Sequence, residues 1–185
     1  MSNTNSHSDQ RTWLIAGALT GALAGISFVM FKVVMAVLLG GNALVPVRNI
    51  GAMVLGEQAL LPGYSVAAAV GVGMIVHTAL AVLYGAAFGF VVWKLSVMRR
   101  SRLHLLSAAT SMGLLLWLVN LYIFAPLLFP WFTENNASVE ITARVVFFGL
   151  PIGLLLMPRL VPNIIQERSL PLHPIMARTL IVGDD

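Results

Sequence analysis

Four stretches of this chain, residues 13–39, 65–93, 103–129 and 141–158, each come close to the roughly 20 apolar residues that a helix needs to cross a bilayer core. The first far exceeds the apolar core of a secretory signal, roughly 7–15 residues, and reads as a retained helix. The fourth is the shortest. It carries Arg144 near its start and Pro151 between Gly149 and Gly153, which predicts a kink. Composition points the same way, because 58% of the residues are hydrophobic and only 10% charged, too little polar surface to cover a soluble globule of 185 residues. The expected fold class is an all-α integral membrane protein with four transmembrane helices, both termini cytoplasmic, and a short interfacial or re-entrant helix between helices 1 and 2. A polar tail (residues 1–12) precedes the transmembrane domain (residues 13–160), and a cytoplasmic tail (residues 161–185) follows it.

The formal charge is +4, but the positive side chains fall in short segments and not along one face, a pattern of membrane topology and not of nucleic-acid binding. Lys94, Arg99, Arg100 and Arg102 lie in the second connection. Arg11 precedes the first span, and Arg159, Arg168 and Arg178 follow the fourth, whereas the third connection holds Glu134 and Glu140. Cytoplasmic loops retain positive charge during insertion, so both ends are expected inside. Trp13 and Trp93 then mark the inner interface, Tyr64 and Trp131 the outer one. The absence of cysteine removes disulfides, thiolate metal sites, iron–sulfur clusters and thiol catalysis.

The first outer connection, residues 40–63, is long and mostly apolar. Pro46 can open a short helix there, with Val47, Ile50, Met53, Val54 and Leu61 on an apolar side and Arg48, Asn49 and Glu57 on a polar one. Gly17, Gly21 and Gly25 recur at four-residue spacing in span one, as do Gly85 and Gly89 in span two. Such stripes let helix backbones approach closely, and an antiparallel contact between them is expected.

Ionisable and amide side chains at membrane depth are costly enough to be site candidates. They are Lys32, His77, Asn120 and Arg144, all at or above the midplane on the outer side. Lys32 follows Gly25 by seven residues and shares its face. The leading expectation is that Lys32 and Arg144 extend to outer headgroups and that Glu140 pairs with Arg144 along one helix; the alternative is a common polar pocket beneath residues 40–63, with Glu57 or Glu140 as counter-charge. His77 is the one weak candidate metal or haem ligand, and a hydrogen bond to Asn120 or Tyr122 is the plainer expectation for it, since haem needs an axial partner and zinc needs three or four ligands. No phosphate-binding loop, intramembrane carboxylate pair or serine–histidine–acid set occurs, so no catalytic residues are expected. Asn136–Ala137–Ser138 matches a glycosylation sequon.

The segments PVRNIGAMVLG (residues 46–56) and LWLVNLYIFAPLLFPWF (residues 116–132) resemble those of small bacterial four-helix inner-membrane proteins, a family without a settled activity. The resemblance implies the same architecture and a bacterial cytoplasmic (inner) membrane location. Three functions remain open on this reading. The first is a non-enzymatic accessory subunit within a larger respiratory, photosynthetic or transport complex. The second is a small homo-oligomeric channel or carrier for an ion or small solute, and the third is haem or pigment binding through His77. The expected partners are the lipid bilayer and other membrane subunits or further copies of the chain.

Overall fold

The computed structural model describes residues 3–133 and 136–160. The expected cytoplasmic tail, with Arg168 and Arg178, and Glu134 of the third connection lie outside the described residues. Five helices form the fold among the described residues: α1 (Asn3–Leu38), α2 (Val45–Leu55), α3 (Val66–Lys94), α4 (Arg102–Leu128) and α5 (Ala137–Leu160). Four of them, all but α2, are long and apolar enough to cross a membrane, which makes this the architecture of a multi-pass membrane protein. The first helix starts ten residues earlier than the apolar pattern, at Asn3. Polar residues can prolong a helix beyond the hydrocarbon, and here Asp9 comes within 3.7 Å of Arg99 in the α3–α4 connection.

Local chemistry sets the ends. Ser65, Ser101 and Asn136 cap α3, α4 and α5 by accepting hydrogen bonds from early backbone N–H groups, and Pro46 stands in the first turn of α2, where its missing N–H costs nothing. Asn136 of the sequon therefore serves as a helix cap. The expected kink at Pro151 takes a particular form. Residues Val145–Gly149 form a π-turn closed by the Leu150 N–H donating to the Val145 carbonyl, and the helix then resumes through Pro151. The same device recurs in α4, where Asn120–Phe124 form a π-turn ahead of Pro126. A proline ring collides with the carbonyl four residues earlier, and a widened turn accommodates it without ending the helix.

Two helix pairs pack backbone against backbone. Along α1 and α3, a Cβ on Gly17 would run into the Gly85 carbonyl and lie 2.9 Å from the Gly89 Cα; one on Gly21 would meet the Ala81 carbonyl, and one on Gly25 would lie 2.7 Å from the Ala81 Cβ. Along α4 and α5, Gly113 fits against the Arg144 carbonyl and Gly149 against the Ala109 carbonyl. α2 is held in the same way, with Gly51 against the Ala69 carbonyl of α3 and Gly73 against the Val47 carbonyl. The pairs join where α5 packs on α1, whereas α3 and α4 scarcely touch. At the end bearing Arg99 the bundle is solid: Trp13, Phe88, Val92, Leu105, Ile152, Leu156 and Leu160 are buried together. Trp13 is thus a core residue, shielded beneath the Arg99 guanidinium 5.9 Å from its ring centroid.

Gly85→Ala should lower the stability of the detergent-solubilised protein by about 1–3 kcal/mol, because the new methyl meets unyielding backbone of α1. Gly71→Ala on the same helix, with nothing within 4 Å, should leave the thermal midpoint unchanged or slightly raised.

Candidate functional site

The half of the bundle opposite the solid core forms a partly open cavity of 330 Å³ in the space that α3 and α4 leave between them, roofed by α2. Lys32 of α1, His77 of α3, Asn120 of α4, and Glu140 and Arg144 of α5 all line it. Of the candidates named from sequence, only Glu57 is absent from its wall. Glu57 is exposed in the short turn after α2, so Glu140 and not Glu57 supplies the counter-charge.

Glu140 is 2% exposed and sits between two cations. Its Oε1 accepts from Lys32 Nζ and its Oε2 from Arg144 Nη1, while the Arg144 Nη1 also reaches the Glu140 backbone carbonyl at 3.3 Å. Lys32 therefore points inward to α5 instead of extending to headgroups. The α-helical segment Ala137–Arg144 places Glu140 and Arg144 one turn apart on one face, the spacing at which such pairs meet. A buried carboxylate survives in low dielectric only when paired and hydrogen-bonded, and both its oxygens are satisfied here.

His77 does not bond Asn120 or Tyr122. Its Nε2 lies 3.0 Å from the Gly25 carbonyl of α1, and since a carbonyl only accepts, that nitrogen carries a proton. Gly25 makes this reach possible, because a Cβ there would lie 3.2 Å from His77 Nε2. Tyr122 instead is exposed and packs edge-on against Trp117. The residue that sequence reasoning missed is Phe28. Its ring stacks on His77 at 5.4 Å, lies 5.6 Å from the Arg144 guanidinium carbon, and meets Phe148 edge-on, so it joins the histidine to the charged group. Its spacing from Lys32, one helical turn, was the available signal.

The remaining wall is apolar: Leu116, Leu121, Phe124 and Leu128 from α4, Phe129 and Phe132 beyond it, and Val47, Ile50 and Met53 from α2. The roof is tied down by polar contacts. Trp131 Nε1 donates to the Asn49 carbonyl at 3.1 Å, and Arg48 Nη2 donates to the Ala59 carbonyl at 2.8 Å. Among the described residues, no group of three or more His, Cys, Asp or Glu side chains comes together in metal-binding range. The arrangement is an apolar chamber with a small, oriented polar wall, at the lower end of the roughly 300–1,000 Å³ typical of small-molecule sites.

Fold and cavity together define a multi-pass helical membrane protein with an internal polar cluster. Comparison with known proteins adds no relative: no family model, no curated protein and no solved structure matches the chain.

Removing the shared carboxylate leaves two buried cations uncompensated, so Glu140→Ala should destabilise the protein by about 3–5 kcal/mol, whereas Lys32→Met, which leaves the Glu140–Arg144 pair, should cost less. The double variant should be less destabilised than the sum of the two singles, as read by thermal unfolding in one detergent.

Proposed function

We propose that this chain is a non-enzymatic carrier or binding protein of a bacterial cytoplasmic (inner) membrane that takes a small solute between its helices. One observation supports the reading above all: five polar side chains from four different spans meet on a single apolar-walled cavity within one chain. Polar groups at membrane depth are expensive, and where they converge on a chamber they mark substrate or ion paths. A homo-oligomer is not required for this reading, because one chain supplies the residues that wall the chamber. Accessory packing in a larger complex is the second reading. It draws on the exposed stripe of Ile15, Leu19, Leu23, Ile26, Met30, Val34 and Val37 along α1. Lipid acyl chains cover such a stripe as well as a partner subunit does, so the cavity carries more weight. Haem or pigment ligation has less support, since His77 Nε2 is engaged with Gly25 and its ring is stacked on Phe28.

In the proposed orientation both termini are cytoplasmic, Lys94, Arg99, Arg100 and Arg102 face the cytoplasm, and α2 is an interfacial or re-entrant roof on the outer side. The chain contains no cysteine, so single introduced thiols report topology directly. Gly63→Cys should react with a membrane-impermeant maleimide in intact spheroplasts, and Ser96→Cys only after lysis. The reverse pattern would invert the orientation.

The binding reading is tested by native mass spectrometry of the gently extracted protein. A small molecule retained at about one per chain, present in Glu57→Gln and lost in Arg144→Gln, is the expected result. A bare chain, or stoichiometric co-migration with a larger assembly whose stability ignores Arg144→Gln, would favour the accessory-subunit reading instead.

A further inference from the structure

We infer that the cavity takes an amphipathic monoanion of the single-chain carboxylate class, and that Glu140 competes with this ligand for Lys32 and Arg144, so that anion and proton enter together. The inference rests on the solute-binding reading above and specifies its ligand.

The charges come first. Lys32 and Arg144 supply two positive charges to one side of the chamber and Glu140 supplies one negative charge, which leaves one cation unbalanced beside apolar walls. An anion is the ligand that such a wall favours, because charge interactions strengthen as the local dielectric falls. Yet the carboxylate of Glu140 already occupies both cations, one with each oxygen. An incoming carboxylate needs the same donors, and two ionised carboxylates sharing one site repel each other. A proton on Glu140 removes the repulsion and releases donor capacity. Empty, the set of Lys32, Arg144 and ionised Glu140 carries a net charge of plus one. Loaded, with Glu140 neutral and the anion present, it carries the same charge. Ligand and proton together add no charge to the chamber, and no covalent bond other than the O–H on Glu140 is formed.

Glu140 contacts Lys32 of α1 and Arg144 of α5 itself, and the other polar side chains that line the cavity are His77 and Tyr84 of α3 and Asn120 of α4. The one ionisable residue of α2, Arg48, is turned to the Ala59 and Leu61 carbonyls. His77 is the cavity residue whose role the test must separate from that of Glu140. It holds Gly25 through Nε2 and is separated from Arg144 by the Phe28 ring, so it does not compete for the anion.

The ligand's body follows from the opposite wall. Leu121, Phe124, Leu128, Phe129 and Phe132 offer hydrocarbon and aromatic surface and no charge. The scant contact between α3 and α4 leaves the chamber bordered by the helix pair that is least closed, a route through which a lipid-soluble chain enters from the bilayer with its carboxylate leading to Lys32 and Arg144.

The test uses decanoate as the probe and decanol as its neutral counterpart, with the full chain in zwitterionic-lipid nanodiscs and protein-free nanodiscs as the blank. Against the protein-free blank at each pH, which accounts for protonation of the probe in lipid, one-proton coupling predicts decanoate affinity falling about tenfold per pH unit between about pH 6.5 and 8.5, with about one proton taken up per decanoate bound. In Glu140→Gln the affinity should be high and independent of pH, while His77→Gln should keep the wild-type slope. Decanol should bind more weakly and without pH dependence. Proton uptake by the unmodified protein decides the matter even if Glu140→Gln does not fold. A slope that persists in Glu140→Gln and vanishes in His77→Gln, or decanoate binding without proton uptake, overturns the inference. Decanol bound as tightly as decanoate overturns it too but leaves solute binding standing; binding of neither removes both.

Discussion

Direct contact between helix backbones at glycine governs the rest of this structure. In a bilayer no hydrophobic effect drives helices together, so association falls to close packing, which requires that side chains be absent at the crossing. Gly17, Gly21, Gly85 and Gly89 provide this for α1 and α3, and Gly113 and Gly149 for α4 and α5. Two tight pairs joined through α1 and α5 do not fill a bundle evenly. They leave α3 and α4 apart, and the chamber is what remains between them once the Arg99 end has closed over Trp13, Leu105 and Ile152.

Electrostatics then sets the character of that chamber's wall. Glu140, Lys32 and Arg144 come from helices at the α1–α5 seam, where the two pairs meet, and their mutual pairing secures the seam at the depth of the cavity. The same group polarises one wall of an otherwise apolar space. The π-turns belong to this region as well: one starts at Asn120, the other directly after Arg144. Each widens the helix ahead of a proline, so the irregular backbone of α4 and α5 lies beside the chamber, where non-helical geometry is best tolerated in a membrane.

Much of the membrane architecture could be read from composition and spacing. The four spans emerge from the length of their apolar runs, because 1.5 Å of rise per residue leaves little freedom in crossing a bilayer. The paired stripes at Gly17, Gly21, Gly25, Gly85 and Gly89 could be read too, since a four-residue period keeps them on one face. The polar candidates were legible one at a time through their cost in hydrocarbon. The partnerships were not. Nothing local distinguishes Glu57 from Glu140 as the counter-charge of Lys32, and nothing near His77 points to the Gly25 carbonyl. The role of Phe28 was hidden as well, because its one-turn spacing from Lys32 places it on that face without showing that it meets His77 and Arg144.

Residue content and spacing alone decide which segments are helical and apolar enough to span a membrane, and which residues are too polar to face lipid. Those properties belong to single helices and follow from periodicity, chain length and transfer cost. That Lys32, His77, Asn120, Glu140 and Arg144 share one chamber, that Glu57 stands outside it, and that α3 and α4 are left apart emerge only when the helices pack. These outcomes depend on how helices rotate and cross when every close contact is satisfied at once, a many-body packing condition that no one segment encodes.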